Sequence, residues 1–555
     1  MTAPLAVPAA VSADIRRYRT LLLIISGMGG ALYGYDLGII GAALLYLDKS
    51  IALSEQQTSL IVAAVLAGGT VSSLMAGVLA DLFGRRTIAI LSATMFILSV
   101  GLICCANGFI PLISGRLLQG LSAGMIAVVI PLYLAECLPA AVRGRGTAIF
   151  QLALTIGIMV AMAVGAGFSA HVDAVARLAD AEGLASARDS AWRLMFATAV
   201  VPGLLFLLGC LFIAESPRWL QRRGRPQEAL AALSRSLPIN EAAAELTSIA
   251  QAAPAVGSGR DSLFQRRYVI PFILACAILA LNQATGINSL LQYVVIIMSQ
   301  AGLGETEAAN AGLAITVVNV LFTVVALFLV DRKGRTFLLK LGTGGIVLAL
   351  LLCAFVFNRF EAQATDITAE VRAQVTANGL SRAVTAVDGQ PTRLTVVYDA
   401  GNGARLVSVS SAAKAPVLTL PAPKEGPLTI VRARSGPQPD ASTGWLAMGC
   451  LMLYIASFAV GPGVCVWLAL SELMPNRIRS MGMGVALLLN QGVATGIAAV
   501  FLPTVGAYGY AAMFLGWAGA TVVYFLIAAF VLPETKGRTL EDIEKGFAGK
   551  ATKSG

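Results

Sequence analysis

The chain has 555 residues, of which 57% are hydrophobic and only 13% charged, and a formal net charge of +10. So apolar a composition excludes a water-soluble globular protein of this length, and a dozen separate apolar runs of about 20 residues exclude a single membrane anchor. The chain reads as a polytopic membrane protein whose basic excess sits in loops at one face, so nucleic-acid binding is not inferred from it.

In chain order the predicted spans are 20–46, 59–80, 87–106, 110–136, 147–169, 192–213, 268–298, 308–330, 337–357, 444–472, 481–504 and 511–532. Arg16, Arg17 and Arg19 precede the first run as in a signal peptide, but the run is too long and further spans follow, so it is a retained helix. Arg85, Arg86, Arg143, Arg145, Arg332, Lys333, Arg335, Arg477 and Arg479 all fall on the side shared by both termini. The short loops on the opposite side, after spans 3, 7 and 11, hold no Lys or Arg. The expected placement is therefore a plasma membrane, the inner membrane in a bacterium, with both termini cytoplasmic.

The first span carries one deep charge, Asp36, in Gly34-Tyr35-Asp36. An ionisable group at membrane depth costs several kcal/mol unless it is paired or lines a water-filled path, so it marks a functional site. Arg116 in span 4 is the one cation placed comparably deep. Counting ~1.5 Å per residue puts Asp36 ~24 Å along its span and Arg116 ~9 Å along a span running the other way. Across a core of ~30 Å the two depths agree, and an ion pair is expected.

Three loop motifs recur in the same order after spans 2/8, 4/10 and 6/12: Asp81-Leu82-Phe83-Gly84-Arg85-Arg86 with Asp331-Arg332-Lys333-Gly334-Arg335, Glu136-Cys137-Leu138-Pro139 with Glu472-Leu473-Met474-Pro475, and Glu215-Ser216-Pro217-Arg218 with Pro533-Glu534-Thr535-Lys536-Gly537. Repetition of this kind implies two six-helix halves of equal topology related by an axis along the membrane normal. The expected organisation is an all-α membrane protein with an N-terminal half at 1–213, a cytoplasmic linker of short helices at 214–267 and a C-terminal half at 268–555. The C-terminal half contains a polar insert at 358–443 between helices 9 and 10, expected to be a small β-rich extracytoplasmic unit. Within it a helix is expected near 366–377, a hairpin from 393–398 and 405–409, and strands at 417–420 and 428–433. A second outer insertion, 171–191, reads as short and amphipathic.

The Gly-Arg loops combine a carboxylate at a helix end, a tight-turn glycine and guanidinium donors. Asp81, Arg85, Arg86, Glu136 and Arg143 are expected to form gating salt bridges that close in one state and part in another, repeated as Asp331, Arg335, Glu472 and Arg479. The eight cysteines lie in or beside apolar spans without metal-like spacing, and neither a metal nor another cofactor is expected. No nucleophile–base set or phosphate loop is present in the sequence and the sole histidine, His171, lies in a loop, so an enzyme is not expected.

Together, Gly34-Tyr35-Asp36, the Gly-Arg loops, Pro131-Leu132-Tyr133-Leu134-Ala135-Glu136, Glu215-Ser216-Pro217-Arg218-Trp219-Leu220, Gln283-Ala284-Thr285-Gly286-Ile287-Asn288 and Pro533-Glu534-Thr535-Lys536-Gly537 resemble the sugar porter family of the major facilitator superfamily. The resemblance implies the major facilitator fold and a substrate site between the halves. It places sugar contacts on Gln151, Gln283, Asn288, Asn319, Trp467 and Asn490; Gln151 rests on the resemblance alone. Amides offer donors and acceptors to hydroxyls, and an indole stacks on the apolar face of a sugar ring. Asn282, Gln292, Val464, Val466, Ala459 and Gln491 depart from the family pattern and reshape the cavity wall. The implied activity is import of a monosaccharide or polyol by proton symport through alternating access, with Asp36 and Arg116 as the proton-coupling pair. No partner beyond the solute, protons and lipid is expected, and the protein is expected to be a monomer. A facilitative uniporter of the same fold and a proton-driven drug or organic-ion antiporter are the alternatives.

Overall fold

The computed structural model describes residues 12–178, 180–251, 266–376, 378–387, 389–400, 403–412, 416–422, 427–473 and 479–532. The motif at 533–537 lies outside the described residues, as do the side chains of Arg143, Asp331, Trp467, Glu472 and Arg479.

Twelve segments among the described residues are helical, long and apolar enough to cross a membrane, the one open-chain structure that satisfies its own backbone in lipid. The first half comprises α1 (Ala13–Ser50), α2 (Glu55–Phe83), α3 (Arg85–Cys104), α4 (Phe109–Cys137), α5 (Ala140–Leu178) and a sixth span formed by α6 (Ala181–Ala197) and α7 (Val200–Phe212). Short helices α8 (Pro217–Arg222), α9 (Pro226–Ser234) and α10 (Ile239–Gln251) follow. The second half begins with a broken span, α11 (Arg266–Ala284) and α12 (Ile287–Gln300), then α13 (Glu305–Lys333) and α14 (Arg335–Glu361). After the insert it resumes with α16 (Ala441–Val460), α17 (Pro462–Leu473), α18 (Arg479–Tyr508) and α19 (Tyr510–Leu526).

Helix ends run past the apolar stretches. Ser12 accepts the N–H of Ile15, so α1 starts before the apolar run. The stretch 171–191, expected as a separate insertion, is instead the continuation of α5 and the start of α6, because its Ala-rich sequence propagates helix beyond the lipid. Gly286 breaks the seventh span with φ +87°, and the Trp517 indole packs where its Cβ would stand; any other residue there would be both strained and in collision.

Helix α1 meets α5 backbone to backbone. A Cβ on Gly30 or Gly34 would overlap the carbonyl oxygens of Phe150 and Leu154, and one on Gly38 would lie 2.8 Å from that of Ile158. Small residues four apart allow this approach, which replaces the hydrophobic drive that is missing between helices in lipid. Gly41 lies both against the Met162 side chain of α5 and close to the carbonyls of Leu291 and Gln292 on α12, in the other half.

The insert is β-rich, with a four-stranded antiparallel sheet ordered β1 (Thr365–Asp366), β6 (Thr429–Pro437), β3 (Thr392–Asp399), β4 (Ala404–Ser410). A second, two-stranded sheet pairs β2 (Gly379–Ala383) with β5 (Val417–Pro421), and α15 (Thr368–Ala373) is its helix. The expected hairpin is β3–β4, in a register that sets Arg393 opposite Ser410 and Asp399 opposite Ala404. Leu394 and Val396 point into a small core with Val371, Leu420 and Ile430. The insert hands back to the bundle at Asp440, whose carboxyl caps α16 and is held down to about 2 by hydrogen bonds from Thr443 and Ser442.

Candidate functional site

Asp36 on α1 and Arg116 on α4 do pair: both side chains are 0% exposed, with Nη1 2.8 Å from Oδ1. The same Nη1 donates to Gln119 at 2.8 Å, and the guanidinium lies 5.5 Å from the centre of the Phe196 ring. Asp36 Oδ2, Arg116 Nε and Nη2, and Gln119 Nε2 have no partner among the described residues. A buried network left partly unsatisfied is costly. One turn before Asp36, the Tyr33 hydroxyl meets the Gln491 side chain of α18, in the other half. Sequence reasoning did not single out Tyr33; its place three residues from Asp36 on one helix face was the available signal.

Beside the break in the seventh span three of the expected amides converge. Asn288 Nδ2 donates to Gln283 Oε1 at 2.8 Å, Gln283 Nε2 to Asn490 Oδ1 at 3.2 Å, and Asn490 Nδ2 to the Leu279 carbonyl at 2.9 Å. Tyr454 fastens the break by donating to the Thr285 carbonyl at 3.0 Å. Asn319 on α13 is buried and Gln151 on α5 half-buried; neither joins this chain of hydrogen bonds among the described residues. The Asn282 and Gln292 side-chain oxygens, on the same span, are buried without hydrogen-bond partners among the described residues. Paired donors and acceptors of this kind suit hydroxyl groups.

The profile described as "Sugar (and other) transporter" matches residues 22–373 and 426–547, and the part it skips lies within the insert. The chain belongs to this transporter family. A glucose transporter of Staphylococcus epidermidis is 29% identical over 94% of the chain and 96% of its own length. An arabinose-proton symporter of Bacillus subtilis is 26% identical over 95% and 94%. The inward-open structure of the xylose transporter XylE from E. coli superposes with a TM-score of 0.67 at 21% identity, covering 95% of this chain and 99% of that one; at that identity the likeness is one of fold.

On the face where α1 begins, this family member builds a charged clamp within its first half. Arg85 bonds Asp81 at 2.8 Å, Glu136 at 3.0 Å and the Ala80 carbonyl at 2.9 Å. Arg86 turns away to the carbonyls of Cys210 and Leu211. Glu215, to which sequence reasoning gave no partner, accepts the backbone N–H groups of Arg85, Arg86 and Ser216, while Ser216 donates to Glu136. The Glu-Ser-Pro-Arg motif thus plugs into the Gly-Arg-Arg turn, with a carboxylate at the N-terminus of α3 as the helix dipole favours. Arg335 also has a polar or charged partner.

On the opposite face the halves are joined. Ser59 accepts from the Leu502 N–H at 3.2 Å, Lys49 and Arg188 both reach Glu305, and Thr306 donates to the Ser169 carbonyl at 3.4 Å. These contacts tie α1, α2 and the α5–α6 corner to α13 and α18 at that face.

Proposed function

We propose that this chain imports a monosaccharide or polyol by proton symport through alternating access. The observation that carries the reading is the fully buried Asp36–Arg116 pair, one turn from the Tyr33–Gln491 contact between the halves. Protonation of Asp36 breaks its hold on Arg116 and alters the α1–α4 packing next to that contact, so proton and sugar occupancy bias one two-state movement of the halves. Gln283, Asn288 and Asn490 bind hydroxyls, joined by Asn319, Gln151 and the Trp467 indole. The Asp81–Arg85–Glu136 clamp with Arg143, braced by Arg86 on the Cys210 and Leu211 carbonyls, and its repeat at Asp331, Arg335, Glu472 and Arg479, stabilises the gate at the face where α1 begins. That face is cytoplasmic, in keeping with the arginine-rich loops, and the insert stands outside a bacterial inner membrane on a monomer. An arabinose-proton symporter among the relatives supports the coupling.

The test is uptake of radiolabelled glucose, galactose, xylose, arabinose, fructose and inositol into proteoliposomes, with and without an inward proton gradient. Accumulation above equilibrium only with the gradient is expected. Equal uptake without it makes the chain a uniporter, and uptake of no member of the panel sinks the sugar reading.

A further inference from the structure

The four-stranded sheet of the insert is two-faced. Leu394 and Val396 enter the insert's own core, and the intervening Arg393, Thr395 and Val397 point the other way, toward the helix ends. The β-register sets Arg434 beside Thr395 and Arg432 beside Val397, and Arg405 joins them from β4. Between this basic face and the ends of α1, α2, α12, α14 and α18 lies a cavity of about 690 Å³, within the size range of small-molecule sites.

Both halves contribute to its wall. Arg393 donates to the Gln300 carbonyl at 3.0 Å and Arg432 to Gly506 and Ala507, all in the second half, whereas Arg405 reaches across to the Ala52 carbonyl of the first half at 3.2 Å. The insert therefore clasps both halves, and the chamber wall draws on both. The Ser59–Leu502 bond and the stacked Tyr293 and Phe501 rings, 4.2 Å apart, stand along α12 and α18 between the chamber and the Gln283–Asn490 amides. Gln283, Asn288 and Asn490 are not among the residues that line it.

Its charge defines what it can hold. Four carboxylates, Asp48, Glu55, Glu305 and Glu361, face the four arginines and Lys49. Glu305 is taken by Lys49 and Glu361 by the N–H groups of Tyr510 and Ala511. Asp48 accepts one bond, from Thr58 at 3.2 Å, and Glu55 accepts none among the described residues. Arg405 Nε is buried without a hydrogen-bond partner among the described residues. An anion would meet the carboxylates and a cation the guanidinium groups, and no metal-like cluster occurs among the described residues. Strong acceptors and donors together, with the Tyr398 and Phe360 rings alongside, suit a neutral polyhydroxylated molecule.

We propose that this chamber is an outer binding site for the transported sugar or polyol, loaded while the passage below is closed. The inference rests on the sugar-transport reading. Its test is equilibrium dialysis of the full-length detergent-solubilised protein against the panel sugar with the fastest uptake. Wild type should bind about two equivalents. Thr395→Trp, which fills the chamber from the sheet without touching the bundle core, and the pair Glu55→Gln with Arg405→Ala should each lose one, whereas Gln283→Ala should lose the other. A single equivalent in wild type, removed by Gln283→Ala and unchanged by Thr395→Trp, overturns the chamber and leaves the transport reading intact. Absence of both binding and uptake across the panel removes the transport reading, and the chamber with it.

Discussion

Replacing Asp36 by Asn keeps the size and one acceptor oxygen of the side chain but removes its charge. Arg116 is then a buried cation whose other acceptor is Gln119, with Nε and Nη2 already unpartnered. Removing one member of a buried pair typically costs ~3–5 kcal/mol. The retained oxygen, 2.8 Å from Nη1 in the present geometry, places Asp36→Asn near the lower end of that range. Arg116→Leu, which strands the carboxylate instead, should cost at least as much, and the double variant should recover most of the loss, since neither charge is left uncompensated. Thermal unfolding of the purified variants in detergent reads the cycle. In proteoliposomes Asp36→Asn mimics the protonated carboxyl, so sugar counterflow should persist while gradient-driven accumulation disappears. Accumulation at the wild-type level in Asp36→Asn would refute the coupling argument and leave a purely structural pair, whereas additive losses in the double variant would refute the pairing itself.

Gly34→Ala forces a methyl group into the Leu154 carbonyl and wedges α1 from α5; a loss of ~1–3 kcal/mol, the usual range for overpacking, should appear as a lowered unfolding temperature. Trp467→Ala should weaken sugar binding by ~1–3 kcal/mol, the contribution of a lost stacking contact; unchanged affinity for every panel sugar moves the indole out of the site. Glu215→Gln removes the charge that receives the first two backbone N–H groups of α3 and that of Ser216, and should cost ~1–2 kcal/mol by unfolding, whereas a neutral outcome means the plug is not holding the turn. Replacing residues 364–438 with a short Gly/Ser linker, which spares Glu361 and the Asp440 cap, should leave uptake at saturating sugar largely intact while abolishing the outer class of binding. Loss of uptake in a correctly inserted protein would make the insert part of the passage itself.

Apolar length and the sign of loop charges are properties of the chain read in one dimension, so the spans, their pairing as two halves and the depth match of Asp36 with Arg116 were legible before any coordinates. The insert was legible for the same reason: alternation along 393–398 and 405–409 around a Gly-Asn-Gly turn specifies a hairpin locally. Azimuth was not legible. Helices bordered by lipid on one side and apolar neighbours on the other carry little amphipathic phase, so nothing in the sequence said that Gly30, Gly34 and Gly38 face α5, that Tyr33 reaches Gln491, or that Gln283, Asn288 and Asn490 join while Asn319 and Gln151 stand apart from their hydrogen bonds. Glu215 finding the Gly-Arg-Arg turn, and the arginine face of the insert closing over the mouth, depend on the packing of elements hundreds of residues apart. Only the tertiary structure decides those contacts, because helix rotation and docking are set by close packing between whole surfaces.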